Sequence, residues 1–183
     1  YDEWRGKMKL STIYNIEAGI LKNRIEKNDN GQEIGIFTKE HFDLELGRIS
    51  EISEVEFVNI DPNKYMITQV GDVLVDSISL EATVITEKTK GLLVLFNYFV
   101  LRQKNSNINN YFFANWFNNS TEAKRQINEN IQGTTIKKLN LSQLTNFKVT
   151  LPKINQQNLI GQLYEKQIKK EIYKLIFGFY CCC

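Results

Sequence analysis

The sequence predicts an α+β fold: a mixed β-sheet domain with flanking helices and a long C-terminal α-helix. Three observations predict it. Runs rich in β-branched residues, EVEFVNI and VLVDSISLEATVI among them, fall before residue 102. Helical patterns dominate after residue 110, so strands and helices come in mixed order. Near the C-terminus Ile160, Tyr164, Ile168, Ile172 and Leu175 recur at helical spacing, with Lys166, Lys169, Lys170 and Lys174 around the remaining faces.

In chain order, WRGKMKLSTIYNIEAGI predicts a short element closed by Gly19 as a turn or cap. GIFTKEHF and EVEFVNI alternate enough to be strands. Asp61-Pro62-Asn63 marks a turn. YMITQVGDVLVDSISLEATVITEK reads as a strand, a turn at Gly71-Asp72, and two further strands. GLLVLFNYFVL, the most apolar segment, is too short to cross a bilayer and reads as a buried strand. NYFFANWFNN is a short helix. STEAKRQINENI is a second helix, with Ser120 or Thr121 as N-cap and Gly133 at its end. LTNFKVTLP is a strand closed by Pro152, and the last helix runs over residues 155–177. The expected division is a domain over residues 1–152 and a helix over 153–180.

The 183 residues are 42% hydrophobic, enough for a real core, and this excludes disorder of the whole chain. Charge is uneven. Residues 1–60 hold 8 basic and 12 acidic residues, residues 61–120 hold 5 of each, and residues 121–183 hold 10 and 4. The basic excess therefore lies in the last third, where it can attract phosphate or simply solvate a helix. The three cysteines are the last three residues, Cys181 to Cys183. That spacing excludes a disulfide framework and favours a reducing compartment. The chain starts at Tyr1 without a methionine, as a processed or excised piece would.

Catalytic patterns are missing. The single histidine, His41, reads as a surface or edge residue and has no G-x-S-x-G to serve. No phosphate-binding glycine loop occurs. Glu122-Ala123-Lys124 has no well-placed preceding aspartate for a metal-dependent nuclease site. Asp72, beside Asp76, is a turn residue more readily than a metal ligand. What remains is binding. Gly133-Thr134-Thr135 offers backbone N–H groups and two hydroxyls, Lys137 and Lys138 follow at once, and Lys124 and Arg125 lie on the preceding helix. Such a set suits a nucleic-acid backbone. A polar hairpin in water has the same composition.

The order of parts resembles the target recognition half of a Type I restriction–modification specificity subunit, over most of the chain. Trp4 to Gly19 is similar to that family's opening Trp…Lys-Leu…Gly, and QVGDVLV to its Gly-Asp-Ile/Val-Leu strand entry. NYFFANWFNNSTEAKRQINENIQGTT is similar to its Tyr-rich helix, second helix and Gly-Ser/Thr. LTNFKVTLPKINQQNLI resembles its Leu-Pro-Pro…Glu-Gln…Ile junction, with Pro152, Gln157 and Ile160 on matching positions. Lys153 and Gln156 depart from it, replacing a proline and a glutamate.

The resemblance implies a non-catalytic chain without its own cofactor or metal, in the bacterial cytoplasm. It implies sequence-specific binding of double-stranded DNA by the domain, and a spacer role for the helix. A separate modification subunit would use S-adenosylmethionine to methylate adenine, and a restriction subunit would use ATP and cleave. Gln157, Ile160, Tyr164, Ile168, Ile172 and Leu175 are expected at the helix interface, either with a second copy or with a second recognition half. Two other readings stay open: a non-enzymatic protein–protein module using the C-terminal stripe, and a DNA-modifying enzyme with an unrecognised site.

Overall fold

The computed structural model describes residues 5–105, 108–131 and 137–178. Strand β1 (Arg5–Lys9) leads into a single helical turn, α1 (Leu10–Ile13), and directly into β2 (Tyr14–Ala18). Gly19 ends β2 because a side chain has no room there: a Cβ would sit 2.6 Å from the Leu95 carbonyl carbon. β3 (Gln32–Gly35) and β4 (Phe57–Ile60) form an antiparallel hairpin around α2 (Lys39–Glu45). Asp61 then caps a 3-10 turn at Pro62–Lys64 by accepting from the Asn63 amide at 3.1 Å.

GIFTKEHF is therefore barely a strand: only Gly35 lies in β3, and Ile36 makes an isolated bridge. The chain turns helical after Thr38, where a capping box forms with His41 and the Thr38 amide donates to His41 Nδ1 at 3.1 Å. The cap overrides the alternating pattern. His41 is correspondingly buried, not at the surface. Burial lowers its pKa from 6.5, against a smaller opposing effect of Glu40. The folded chain thus favours neutral imidazole and binds fewer protons than the unfolded chain just below pH 6.5. Stability should therefore fall as the pH drops below 6.5, a window separate from the carboxylates further down. Thermal midpoints measured between pH 7 and 5 should show this step, and His41→Gln should remove it.

The central sheet is antiparallel with strand order β2-β7-β5-β6, where β5 is Val73–Asp76, β6 Glu81–Val84 and β7 Tyr98–Gln103. β5 and β7 are mostly buried on both faces, which their run of Val, Leu and Phe permits. Residues 91–97 do not extend β7. They make isolated bridges, Leu93 to Ile36 and Ile67, and Leu95 to Ile20. One face is covered by α3 (Asn110–Asn119), with α4 (Thr121–Ile131) packed beside it. α3 is capped by Asn109 and inserts Phe112, Phe113, Trp116 and Phe117 into the core. α4 starts at Ser120, whose hydroxyl accepts from the Ala123 amide at 3.0 Å.

LTNFKV opens as a helix, not a strand. Asn140 and Gln143 form a reciprocal capping box at 2.8 Å each, which starts α5 (Leu141–Asn146). β8 (Lys148–Leu151) then pairs antiparallel with β1, joining the two ends of the domain. α6 (Ile154–Phe177) follows Pro152. No helix among the described residues is long and apolar enough to cross a membrane.

Candidate nucleic-acid interface

Three segments converge at one end of the central sheet. The first is the β5–β6 turn over residues 77–80. Asp76 is buried and organises it, accepting from the Ile78 amide at 2.9 Å, the Ser79 amide at 3.3 Å and the Ser79 hydroxyl at 2.9 Å. Leu80 takes φ 59°, a left-handed conformation costly for a branched side chain, and its amide is held by Asp76 O at 2.9 Å. The second segment is the approach to β7. Asn97 O accepts from both the Ser77 amide (2.9 Å) and the Ser77 hydroxyl (2.7 Å). The third carries Lys137 and Lys138. The Leu139 amide donates to Ser77 O at 3.0 Å, and Lys138 Nζ stands 3.7 Å above the Phe96 ring.

Lys137 is exposed and Lys138 half-buried in this cluster. Lys124 and Arg125 sit elsewhere, on the exposed side of α4, whose contacts include α3, α5, β8 and β1. Gln126 bonds both Lys148 N and Lys148 O at 2.8 Å. Glu122 accepts from Trp116 Nε1 and the Thr150 hydroxyl, each at 2.9 Å, and lies 3.6 Å from Lys7. Burial raises the pKa of this carboxyl, but those hydrogen bonds and Lys7 outweigh it and hold it below 4.5. Glu122 is thus engaged structurally. Arg125 lies 3.8 Å from Glu129. Thr134 and Thr135 fall outside the described residues. Of the six expected DNA-binding residues, the structure brings Lys137 and Lys138 together with a built loop cluster and leaves Lys124 and Arg125 on a separate face.

Sequence reasoning missed Ile78, Phe96 and Arg102. Phe96 belonged to a run read as a buried strand, yet it is 43% exposed. Asp72, a turn residue by its sequence context, accepts from the Gln69 amide at 2.9 Å. It is also buried and receives Arg102 Nε at 2.9 Å and Nη2 at 3.0 Å. No local pattern marks a partner thirty residues away.

The stripe on α6 requires a correction. Gln157 is fully buried in its own domain: Oε1 accepts from the Asn109 amide at 3.1 Å and Nε2 donates to Pro152 O at 2.9 Å. Ile160 and Tyr164 pack on the main core, and the Tyr164 hydroxyl accepts from Asn118 Nδ2 at 2.8 Å. Ile168 and Ile172 are half-buried beside Gly47, just past the end of α2. They also line a cavity of about 340 Å³ with Leu44, Glu45 and Tyr111. The physical reason is packing within the domain: Gln157, Ile160 and Tyr164 are taken up by the start of α3 and the main core, and Ile168 and Ile172 by the turn after α2. Leu175 alone of the six stays exposed. Other apolar side chains on α6 do face outward, namely Leu159, Leu163, Tyr173, Ile176 and Phe177.

Residues 1–174 match the model of the Type I restriction modification DNA specificity domain. The chain belongs to that family. Solved structures show the specificity fold again. An HsdS subunit from Thermoanaerobacter tengcongensis aligns over 96% of this chain and 40% of its own, at TM-score 0.59 and 15% identity. The type I S subunit from M. genitalium aligns over 96% and 43%, at TM-score 0.56 and 14% identity. A type I restriction–modification structure, solved for complex assembly and conformational transition, aligns over 94% and 44%, at TM-score 0.67 and 13% identity. This specificity domain thus spans about two-fifths of the length of those chains. No curated protein matches it in sequence.

Proposed function

We propose that the chain is a specificity half-subunit of a Type I restriction–modification complex. It binds a short half-site of double-stranded DNA and directs adenine methylation and cleavage carried out by other subunits. It works without a cofactor of its own, S-adenosylmethionine and ATP belonging to the modification and restriction subunits, and it acts in the bacterial cytoplasm. One observation beyond family membership carries this reading. Lys137 and Lys138 are mounted on a loop cluster in which the Asp76 carboxylate is buried and turned into its own turn. A cationic surface suits phosphate. The expected test result is salt-dependent retardation of duplex DNA. Lys137→Ala with Lys138→Ala should weaken binding to all sequences and flatten the salt slope by roughly one unit per lost contact. An unchanged slope would take this loop cluster off the DNA.

The outward face of α6 favours a second element of the proposal, pairing with a second copy or a second recognition half. Leu159 and Leu163 are 59% and 60% exposed, and Tyr173 and Phe177 are 62% and 64% exposed. A row of large apolar side chains on a helix that its own domain already braces marks an interface. The test therefore belongs on this face, since glutamate at Ile168 or Ile172 would also disturb the contact with α2. Leu163→Glu with Tyr173→Glu should give a folded monomer by sedimentation while the parent chain is dimeric at the same concentration. A parent that stays monomeric at high concentration excludes self-pairing and leaves the second half as the partner.

A further inference from the structure

The loop cluster holds more than charge. Ile78 is 60% exposed and Phe96 is 43% exposed, and they flank the Ser77–Asn97 contact on the two neighbouring segments. Their backbone is fixed from several sides. Asp76 accepts three hydrogen bonds inside the β5–β6 turn, Leu80 is held at positive φ, Ser77 is bonded to both Asn97 and Leu139, and the Phe96 amide donates to Ile20 O at 2.9 Å. A buried carboxylate and a strained leucine thus serve to hold one isoleucine out of the core. Lys138 lies across Phe96 and Lys137 precedes it, so an apolar tip stands next to cations.

Phosphate contacts position a protein on DNA but carry no sequence information. The lysines therefore leave base selection to their neighbours. Ile78 has no side-chain donor or acceptor, so it is blind to the hydrogen-bonding pattern of the base edges. The one apolar mark that distinguishes a base in the major groove is the thymine C5-methyl group. We propose that Ile78, on the turn bonded to the segment that carries Phe96, is a specificity-determining residue that reads a thymine methyl group within the half-site. This rests on the DNA-binding reading given above.

The experiment uses the full chain and a pool of duplexes with a randomised central segment. Duplexes selected by the parent chain should share a fixed thymine. Replacing that thymine with deoxyuridine, which lacks only the methyl group, should weaken binding about four-fold, the equilibrium worth of one such group removed from water. The same replacement should leave binding by Ile78→Ala unchanged, while parent and variant keep the same salt slope. Ile78 is exposed, so the variant should unfold at nearly the parent temperature. A deoxyuridine effect of equal size in parent and variant, or a selected pool with no fixed thymine, overturns the role of Ile78 and leaves DNA binding standing. A parent chain that enriches no sequence and shows no salt-dependent binding overturns the DNA reading itself, and this proposal with it.

Discussion

Arg102→Ala is expected to destabilise the folded chain by about 1–3 kcal/mol, the usual cost of leaving a buried acceptor without its partner. Asp72 is 5% exposed and sits at the entry to β5, where its carboxylate receives two hydrogen bonds from Arg102 and one from the Gln69 amide. Arg102 also donates Nη2 to Ile67 O at 2.6 Å. The pair therefore ties β7 to the turn before β5 and to the segment that crosses at Ile67. Without the guanidinium, a carboxylate stays buried with one neutral donor, and a backbone carbonyl loses its partner. Asp72→Ala should cost less, because Arg102 is 31% exposed and can turn toward water. The double variant should cost less than the sum of the two, since no buried charge is left alone. Urea unfolding of the three variants checks this. Additive losses would show that the pair contributes little as a pair.

Much of this architecture was legible because it follows from local chemistry. Asp61-Pro62-Asn63 turned where its composition requires, Ser120 capped α4, and Pro152 separated β8 from α6. The misreadings share one cause. A reciprocal cap at Thr38–His41 starts a helix inside a segment whose alternation suits a strand, and one at Asn140–Gln143 carries a helix into the start of LTNFKVTLP. A cap spans four residues and competes weakly against a pattern spanning eight, so reading by periodicity favours the pattern. The covered side of α6 rests on α3, the main core and the turn after α2, contacts between distant segments that a helical stripe alone does not reveal. The site was legible in part. Lys137 and Lys138 stood out as adjacent cations. Ile78 and Phe96 did not, because exposure of an apolar residue depends on where the sheet ends and on which loops converge there. Asp72 and Arg102 are joined only by the β5–β7 ladder, in which Val73 faces Leu101.

Gly161→Val should destabilise the chain by about 2–4 kcal/mol and alter the seating of α6. Valine brings only a small gain in helix propensity over glycine, too small to offset what it displaces. A Cβ at residue 161 would fall inside the contact radius of Asn109 Oδ1 and 2.7 Å from Asn109 Cγ. That side chain cannot move freely. Its Oδ1 caps α3 by accepting from the Phe112 amide at 2.9 Å, and its Nδ2 donates to Asn158 Oδ1 at 3.1 Å. Displacing it loses a cap worth roughly 1 kcal/mol and adds overpacking of about 1–3 kcal/mol. The Gln157 bond to the Asn109 amide lies one turn away and would be strained with it. Gly161→Ala should fall nearer neutral, because alanine's helix propensity returns about 1 kcal/mol. Thermal unfolding of both variants separates the effects. If valine is tolerated as well as alanine, the α3–α6 approach is looser than this geometry. If α6 has the spacer role that the family resemblance implies and so sets the separation of two half-sites, the valine variant that still folds should also lose preference for the parent spacing before it loses affinity for a single half-site.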